Sequence, residues 1–221
     1  MIELRGINKS YGNLRVLDDV SLSIGSNEII TIVGPSGAGK TTLLQIAGTL
    51  DRPDSGSVLY DGEDIARFND RRLSAFRNRN IGFIFQFHQL LPEFTAQENV
   101  ALPAMIAGES SRKAQKRAAE LLDMLGLGDR LRHKPTQLSG GERQRAAIAR
   151  ALVNSPGVIF ADEPTGNLDT RSGEDVMKIL HELNEEGRTI ILITHDNDIA
   201  RQATRAIRII DGKVVSDTLA S

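Results

Sequence analysis

Residues 34–41 read Gly34-Pro35-Ser36-Gly37-Ala38-Gly39-Lys40-Thr41, and the rest of the chain is best understood from this stretch. It matches the phosphate-loop pattern of two spaced glycines followed by a lysine and a serine or threonine. The β-branched apolar run at 29–33 predicts a buried parallel strand, and residues 41–47 predict a helix. Glycines let backbone N–H groups surround an anion, and a helix N-terminus adds partial positive charge. The stretch therefore predicts a binding site for a nucleoside triphosphate.

Two side chains of this loop have expected roles in holding the ligand. Lys40 can reach the β- and γ-phosphates, and Thr41 offers a hydroxyl to Mg²⁺. The alternative is an ordinary glycine-rich turn between a strand and a helix. The complete pattern, placed between a strand and a helix, favours the phosphate site over that turn.

The composition limits the classes of protein to which the chain can belong. Its 221 residues are 40% hydrophobic and 25% charged, which indicates one large globular domain or a domain with an insertion. A net charge of −2 provides no general attraction to nucleic acid or anionic lipid. The absence of cysteine excludes disulfides, thiolate metal sites and thiol catalysis. No apolar run approaches the ~20 residues of a membrane span, and the first residues lack a signal-peptide pattern, so we expect another chain to supply any membrane part.

The hydrophobic pattern predicts an α/β fold in three parts. Residues 2–24 alternate apolar and polar side chains around turn signals, which predicts an antiparallel β layer. Strands and helices alternate around the phosphate loop and again near the end, which predicts a core of residues 1–86 and 156–221. Between these two parts of the core, the apolar residues recur mostly at helical spacing. This predicts a helical subdomain of about 87–155, inserted into a single domain of residues 1–221. The predicted elements are strands at 58–62, 81–85, 158–161 and 189–193, helices at 70–80, 140–154 and 171–186, and a final hairpin over 207–215.

Two acidic residues follow the predicted strand at 158–161. Ligands of an open parallel sheet bind beyond the carboxyl ends of its strands, at the edge that also holds the phosphate loop. Asp162 is therefore a candidate Mg²⁺ ligand, and Glu163 is a candidate base that orients and deprotonates an attacking water. The alternative is a pair of acidic residues that opens a turn before Pro164.

Three further residues are candidates because of where they lie along the chain. His195 follows the strand at 189–194 and is expected to contact the γ-phosphate, although a lone histidine is often structural. Gln86 ends the strand at 81–85, where its amide can sense Mg²⁺ or water, but any polar residue can end a strand. Tyr11 falls in a predicted turn, either as an exposed turn aromatic or as a platform on which adenine stacks.

A second anion site is predicted in the helical block. Ser139 and Glu142 are spaced as a capping box for a helix over 140–154. Capping does not need Gly140 and Gly141, whereas glycines at a helix start expose backbone N–H groups to an anion. The stretch is remote in sequence from the phosphate loop.

Taken together, these motifs resemble those of the ATP-binding-cassette (ABC) ATPases. The motifs follow the family's order along essentially the whole chain. In that order they are Tyr11 as the adenine-stacking aromatic, Gly34–Thr41 as Walker A, Gln86 as the Q-loop and Leu138–Gln144 as the signature. Val158–Glu163 then resembles Walker B, Asn167–Asp169 the D-loop and His195 the switch histidine. The signature is highly specific, because other phosphate-loop proteins lack it. The stretch 86–100 is similar to the subgroup that extracts lipoproteins from the bacterial inner membrane, and the D-loop also fits macrolide and peptide exporters, although it departs from the common Ser-Ala-Leu-Asp.

The resemblance implies a RecA-like P-loop core, ATP hydrolysis with Mg²⁺, and a head-to-tail homodimer in the ATP-bound state. ATP would contact Tyr11 and residues 34–42, including Thr42, and the partner copy would cover the γ-phosphate with Ser139, Gly140 and Gly141. The expected catalytic residues are Lys40, Gln86, Glu163 and His195, and the expected Mg²⁺ ligands are Thr41, Gln86 and Asp162.

The resemblance leaves three functions to compare. The first is the ATPase subunit of a membrane transporter, located at the cytoplasmic side of the inner membrane. The second is a regulatory ATPase that signals across the membrane to a cell-division or cell-wall hydrolase complex. The third, a soluble cassette acting on DNA or ribosomes, is disfavoured because the chain lacks the long coiled-coil insertions, zinc cysteines and second cassette of such relatives.

A stretch beside Gln86 is the expected contact with an integral membrane permease subunit. Residues 87–100 contain four large apolar side chains, and Pro92 prevents one continuous helix. A surface next to the γ-phosphate sensor would let the nucleotide state alter the partner's contact. The alternative is that these side chains pack the helical block onto the core.

Overall fold

The chain forms two β-sheets and a block of helices. The computed structural model describes residues 1–219. The strands are β1 Ile2–Tyr11, β2 Leu14–Ile24, β3 Ile29–Val33, β4 Ser55–Tyr60, β5 Glu63–Asp64, β6 Ile81–Phe85, β7 Val158–Asp162, β8 Thr189–Ile193, β9 Arg205–Ile210 and β10 Lys213–Leu219. The helices are α1 Lys40–Ala47, α2 Asp70–Asn80, α3 Ala96–Ile106, α4 Ser111–Met124, α5 Gly140–Leu152, α6 Thr170–Glu185 and α7 Asn197–Ala200, with short 3₁₀ turns at Ile65–Arg67, Gly128–Arg130 and Pro135–Gln137.

The larger sheet carries the phosphate loop. Its strand order is β10-β9-β3-β8-β7-β6, and the five strands from β9 to β6 are parallel, while β10 closes the edge as the antiparallel arm of a hairpin. The strands predicted at 29–33, 81–85 and 189–193 have those bounds. Continuous apolar runs predict them well because both faces of a parallel sheet are buried.

The smaller sheet is antiparallel, with the order β2-β1-β4-β5. This confirms the antiparallel layer predicted for residues 2–24. β4 begins at Ser55, three residues before the predicted strand, because Ser55 and Ser57 pair with Asn8 and Arg5 of β1. The small polar residues that indicate a turn are here part of a strand, since the neighbouring strand satisfies their backbone groups.

The two faces of the larger sheet bury different helices. Ile32, Phe160 and Ile193 share one hydrophobic core with the apolar side of α1. Ile159, Ala161 and Leu192 point the other way, into a core made with α3, α4, α5 and α6. Successive residues of a strand alternate between faces, so α1 and α5 lie on opposite sides of one sheet.

The helical block opens with a non-helical segment. Residues 87–95 are not helical, and the first helix starts at Ala96, where Thr95 and Glu98 form a capping box. The buried side chain of Asn99 holds the preceding turn by donating to the carbonyls of Leu91 and Phe94 and accepting from the Leu91 N–H. Between residues 1 and 219, the helices are all too short or too polar to cross a membrane.

Candidate active site

The phosphate loop joins the end of β3 to the start of α1. Gly37 and Gly39 have φ of 80° and 97°, which side chains rarely adopt. A Cβ at Gly34 would collide with the carbonyl of Ile209, so this position needs glycine for close packing. The Lys40 ammonium donates to the carbonyls of Gly34 and Pro35, each at 2.9 Å, and so lies across the mouth of the loop.

The register of the sheet brings four strand ends to one level. Phe85 pairs with Asp162, Asp162 with Ile193, and Ile193 with Ile32. The residues that follow these positions therefore leave the sheet together, beside the phosphate loop. This is the edge at which ligands of open parallel sheets bind.

Asp162 lies partly buried at this edge. Burial raises the pKa of its carboxyl above the usual value, while hydrogen bonding with the Thr41 hydroxyl and the nearby Lys40 charge act in the opposite direction. A carboxylate beside a hydroxyl is the hard-oxygen donor set that Mg²⁺ prefers, with phosphate oxygens and waters as its other ligands. Thr41 and Asp162 therefore provide oxygen ligands of the kind that Mg²⁺ binds.

Glu163 and His195 are in direct contact. Nδ1 of His195 lies 2.9 Å from Oε1 of Glu163. The Glu163 side chain is 16% exposed and that of His195 is 73% exposed, so the carboxylate is partly enclosed and the imidazole caps it from the solvent side. Glu163 has φ of 47°, an uncommon value for glutamate, and its N–H donates to the Ile193 carbonyl. The backbone of Glu163 is thus anchored to the end of β8.

Gln86 lies against the turn that follows Glu163. Its carbonyl accepts from Nδ2 of Asn167 at 3.1 Å, and a Cβ at Gly166 would stand 3.0 Å from Nε2 of Gln86. Gly166, directly before the D-loop, therefore leaves room for the glutamine amide. Sequence reasoning identified Gln86 and the D-loop separately but not their contact.

Arg150 of α5 holds the two residues that follow Phe87. Its guanidinium donates to the carbonyls of His88, at 2.7 Å, and Gln89. Both residues have positive φ, of 58° and 50°. Because the partly buried guanidinium donates to both carbonyls, the strained turn after Gln86 is fixed to the helical block. No local pattern in the sequence indicates this contact.

Ser139 caps α5 as predicted. Its N–H donates to the Glu142 carboxylate at 2.8 Å, and its Oγ accepts from the Glu142 N–H at 3.2 Å. The helix ends at Leu152, two residues before the predicted end. Since α1 and α5 pack on opposite faces of the sheet, residues 139–141 do not share a face with the phosphate loop of the same chain.

Gln144, the last residue of the signature, links this helix to the sheet edge beside the phosphate loop through a contact that sequence reasoning missed. It is fully buried, and its Nε2 donates to the carbonyl of Pro164 at 2.7 Å. The helix that begins at Ser139 is therefore tied to the turn directly after Glu163. A polar residue inside a helix gives no sign of such a role in the sequence.

Tyr11 is the last residue of β1 and pairs with Leu14, so it belongs to the strand end and not to the predicted turn. Tyr11 is 48% exposed. Its hydroxyl donates to Oδ2 of Asp51 at 2.7 Å, and the Thr42 hydroxyl is also a hydrogen-bonding neighbour. The ring therefore lies beside the first turn of α1.

Comparison with known proteins gives a consistent result. A family model described as "ABC transporter" matches residues 17–166. The chain is 56% identical to the lipoprotein-releasing system ATP-binding protein LolD of Bacteroides thetaiotaomicron, over 98% of this chain and 100% of that protein. It is 51% identical to the macrolide export ATP-binding/permease protein MacB 1/2 of Paracoccus denitrificans, over 98% of this chain but 33% of that protein.

Solved structures resemble the whole chain. The ATP-binding cassette MJ0796, in a dimeric post-hydrolysis state bound to ADP and Pi, has a TM-score of 0.93 and 42% identity, and the match covers 100% of this chain and 99% of that one. A second dimeric structure of MJ0796 has the same TM-score and 43% identity. The predicted P-loop fold, with an antiparallel sheet beside a mainly parallel one, is confirmed.

Proposed function

The chain belongs to the ABC transporter family and is an ATPase, and we propose that it hydrolyses ATP between two copies of itself to drive a membrane complex. The observation that carries this proposal is the position of the two anion sites, at the N-termini of α1 and α5, on opposite faces of one sheet. One copy cannot bring both to one phosphate group. A head-to-tail pair of copies can, and the dimeric form of the related cassette supports this arrangement.

Within one copy, the residues at the sheet edge have separate roles in binding the phosphates and Mg²⁺. Lys40 and the loop N–H groups would hold the phosphates, and Thr41, Asp162 and Gln86 would hold Mg²⁺, which supplies charge neutralisation when bound. Phosphoryl transfer depends mainly on positioning and on charge stabilisation, and these groups provide both.

Glu163 acts as the base in this proposal. Its carboxylate lies 2.9 Å from the His195 ring, which can fix its orientation while the exposed side of the imidazole contacts the γ-phosphate. A water placed between Glu163 and the γ-phosphate would lose its proton to the carboxylate as it attacks. The γ-phosphate would be covered on its other side by Ser139, Gly140 and Gly141 of the partner copy.

We propose that the membrane partner is a permease and that the cargo is a lipoprotein or a macrolide- or peptide-like compound. The relatives named for lipoprotein release and macrolide export support this, and in the macrolide exporter the cassette is one third of a chain that is also named a permease. The chain would then lie at the cytoplasmic face of the inner membrane. These relatives favour transport over a regulatory ATPase of cell division, and the net charge of −2 does not favour nucleic acid.

The surface best suited to the permease is a docking groove between the core and the helical block. It is a cavity of about 590 Å³, and its apolar lining includes Leu50, Phe83, Phe85, Pro103 and Ile106. Gln89 and Arg150 also line it, and Arg150 fixes the turn after Gln86. A permease segment bound in this groove would therefore contact Arg150, which fixes the turn that follows the proposed nucleotide sensor Gln86. Of the stretch 87–100, Gln89 lines the groove, so the two surfaces adjoin.

We expect Ile106→Asp to abolish co-purification with the membrane subunit while ATP binding by the isolated protein survives. Ile106 is 68% exposed, so a charge is tolerated in the free chain but would be buried unpaired in the complex. Leu91→Glu tests the neighbouring stretch in the same way. Met124→Asp, at a residue that is 75% exposed at the end of α4, is the matched control and should assemble normally. Normal assembly of Ile106→Asp, or loss of its ATP binding, would overturn the assignment of the groove.

A further inference from the structure

Tyr11 is attached to the phosphate-loop helix through Asp51. The Tyr11 hydroxyl donates to Oδ2 of Asp51 at 2.7 Å. Asp51 follows α1 closely, and its own N–H donates to the carbonyl of Gln45 within that helix at 3.2 Å. The carboxylate is therefore fixed relative to the helix that begins at Lys40, although Tyr11 belongs to the other sheet.

Lys9 completes this arrangement from the opposite side. Its ammonium donates to Oδ1 of Asp51 at 2.9 Å and to the carbonyl of Arg52 at 2.7 Å. The same ammonium lies 5.2 Å from the centre of the Tyr11 ring. Lys9 is only 9% exposed, and a lysine is rarely buried unless its charge is paired. Each oxygen of Asp51 thus has its own partner.

The charge state of the cluster agrees with its geometry. Burial alone would raise the pKa of the Asp51 carboxyl, but the hydrogen bonds from Tyr11 and Lys9 outweigh it and hold that pKa below its usual value. The hydrogen bond to Asp51 also raises the pKa of the Tyr11 hydroxyl, which therefore keeps its proton and remains a donor. The ionised carboxylate of Asp51 thus lies between the ammonium of Lys9 and the neutral phenol of Tyr11.

We propose that Lys9 and Asp51 are positioning residues that hold the Tyr11 ring at a fixed place above the phosphate loop, so that it can stack on the base of the nucleotide. Lys9 takes one side of the ring, and the exposed part of Tyr11 is left for the base. This inference rests on the proposed stacking role of Tyr11. It predicts that the cluster contributes to affinity for the base and not for the phosphates.

The alternative is that the cluster only ties the smaller sheet to α1. Loss of Asp51 would then destabilise the fold or lower nucleotide affinity as a whole, so affinity for the phosphates would fall as much as affinity for the base. Two competing probes separate these cases. MgATP carries a base, whereas the Mg²⁺ complex of tripolyphosphate has the phosphate chain alone.

The experiment measures the KM for MgATP and the inhibition constant of Mg²⁺-tripolyphosphate for Tyr11→Ala, Tyr11→Phe, Asp51→Ala and Asp51→Asn. Since Tyr11→Ala removes the ring on which the base stacks, it should raise the KM about tenfold, and Asp51→Ala should raise it about three- to tenfold, with a smaller change in kcat. The tripolyphosphate constant should stay within about twofold. Asp51→Asn should recover much of the affinity, because its amide oxygen still accepts from Tyr11. Asp54→Ala is the matched control, since Asp54 accepts from the Ser10 N–H and lies 3.9 Å from Lys9.

Each outcome decides the proposal. If Tyr11→Ala raises the KM and Asp51→Ala does not, the stacking role stands and the positioning role is wrong. If Tyr11→Ala leaves the KM unchanged, stacking itself is wrong and the positioning role falls with it. An equal rise of both constants in Asp51→Ala also overturns the proposal. If Asp51→Ala does not fold, Tyr11→Phe decides, because it keeps the ring and removes the hydrogen bonds of its hydroxyl to Asp51 and Thr42. A raised KM in Tyr11→Phe supports the positioning role, and an unchanged KM overturns it.

Discussion

Replacing Glu163 with glutamine is expected to lower ATP turnover about 10²- to 10⁴-fold and to leave ATP binding intact. The carboxylate lies at the edge of the sheet in contact with His195, where it can accept a proton from water. The amide of glutamine has the same shape but cannot act as a base at neutral pH. Steady-state hydrolysis and the affinity for a fluorescent ATP analogue measure the two quantities separately.

Lys40→Ala is the contrasting variant for this prediction. The Lys40 ammonium lies across the mouth of the loop, so its loss should weaken nucleotide binding as well as turnover. Hydrolysis by Glu163→Gln at a rate near that of the wild type would remove Glu163 from the role of base. Comparable loss of binding in both variants would mean that Glu163 holds the substrate and does not activate water.

The second large effect is expected for Ser139→Ala, with turnover about 10²- to 10³-fold lower. The Ser139 Oγ accepts from the Glu142 N–H, so its hydroxyl proton is free to donate, and in the proposed dimer it would donate to the γ-phosphate held by the other copy. Removal of one preorganised donor to a developing charge costs a rate factor of this size. Hydrolysis at saturating MgATP is the measurement.

The control for Ser139→Ala is the equivalent capping box of another helix. Thr95 and Glu98 cap α3 with the same pair of contacts. Each cap contributes about 1 kcal/mol to stability, so both alanine variants should lose a similar free energy of unfolding in urea. Only Ser139→Ala should lose turnover in the isolated protein. Equal, small losses of turnover in both variants would show that Ser139 acts as a cap alone.

The local parts of the fold follow from local patterns. The strand–loop–helix over residues 29–47 and the strands at 81–85 and 189–193 are predictable, because continuous apolar runs and glycine spacing are properties of adjacent residues. Placement of Asp162 and Glu163 at the phosphate edge also follows, since parallel strands end at a common edge.

The parts that sequence reasoning missed depend on contacts between distant residues. No local pattern shows that residues 87–95 form turns, which Asn99 and Arg150 hold by donating to backbone carbonyls within that segment. Similarly, Asp51 lies 40 residues from Tyr11, so no local pattern links them. Such contacts form only when the strand order and helix packing are already decided.

In the proposed shared site, ATP is bound between the phosphate loop of one copy and the signature residues of another. Light scattering of Glu163→Gln at one protein concentration, with MgATP and then with MgADP, measures whether this dimer forms. We predict the mass of two copies with MgATP, because bound γ-phosphate joins the two anion sites, and the mass of one copy with MgADP. A single-copy mass under both conditions, with ATP binding confirmed, would contradict the shared site.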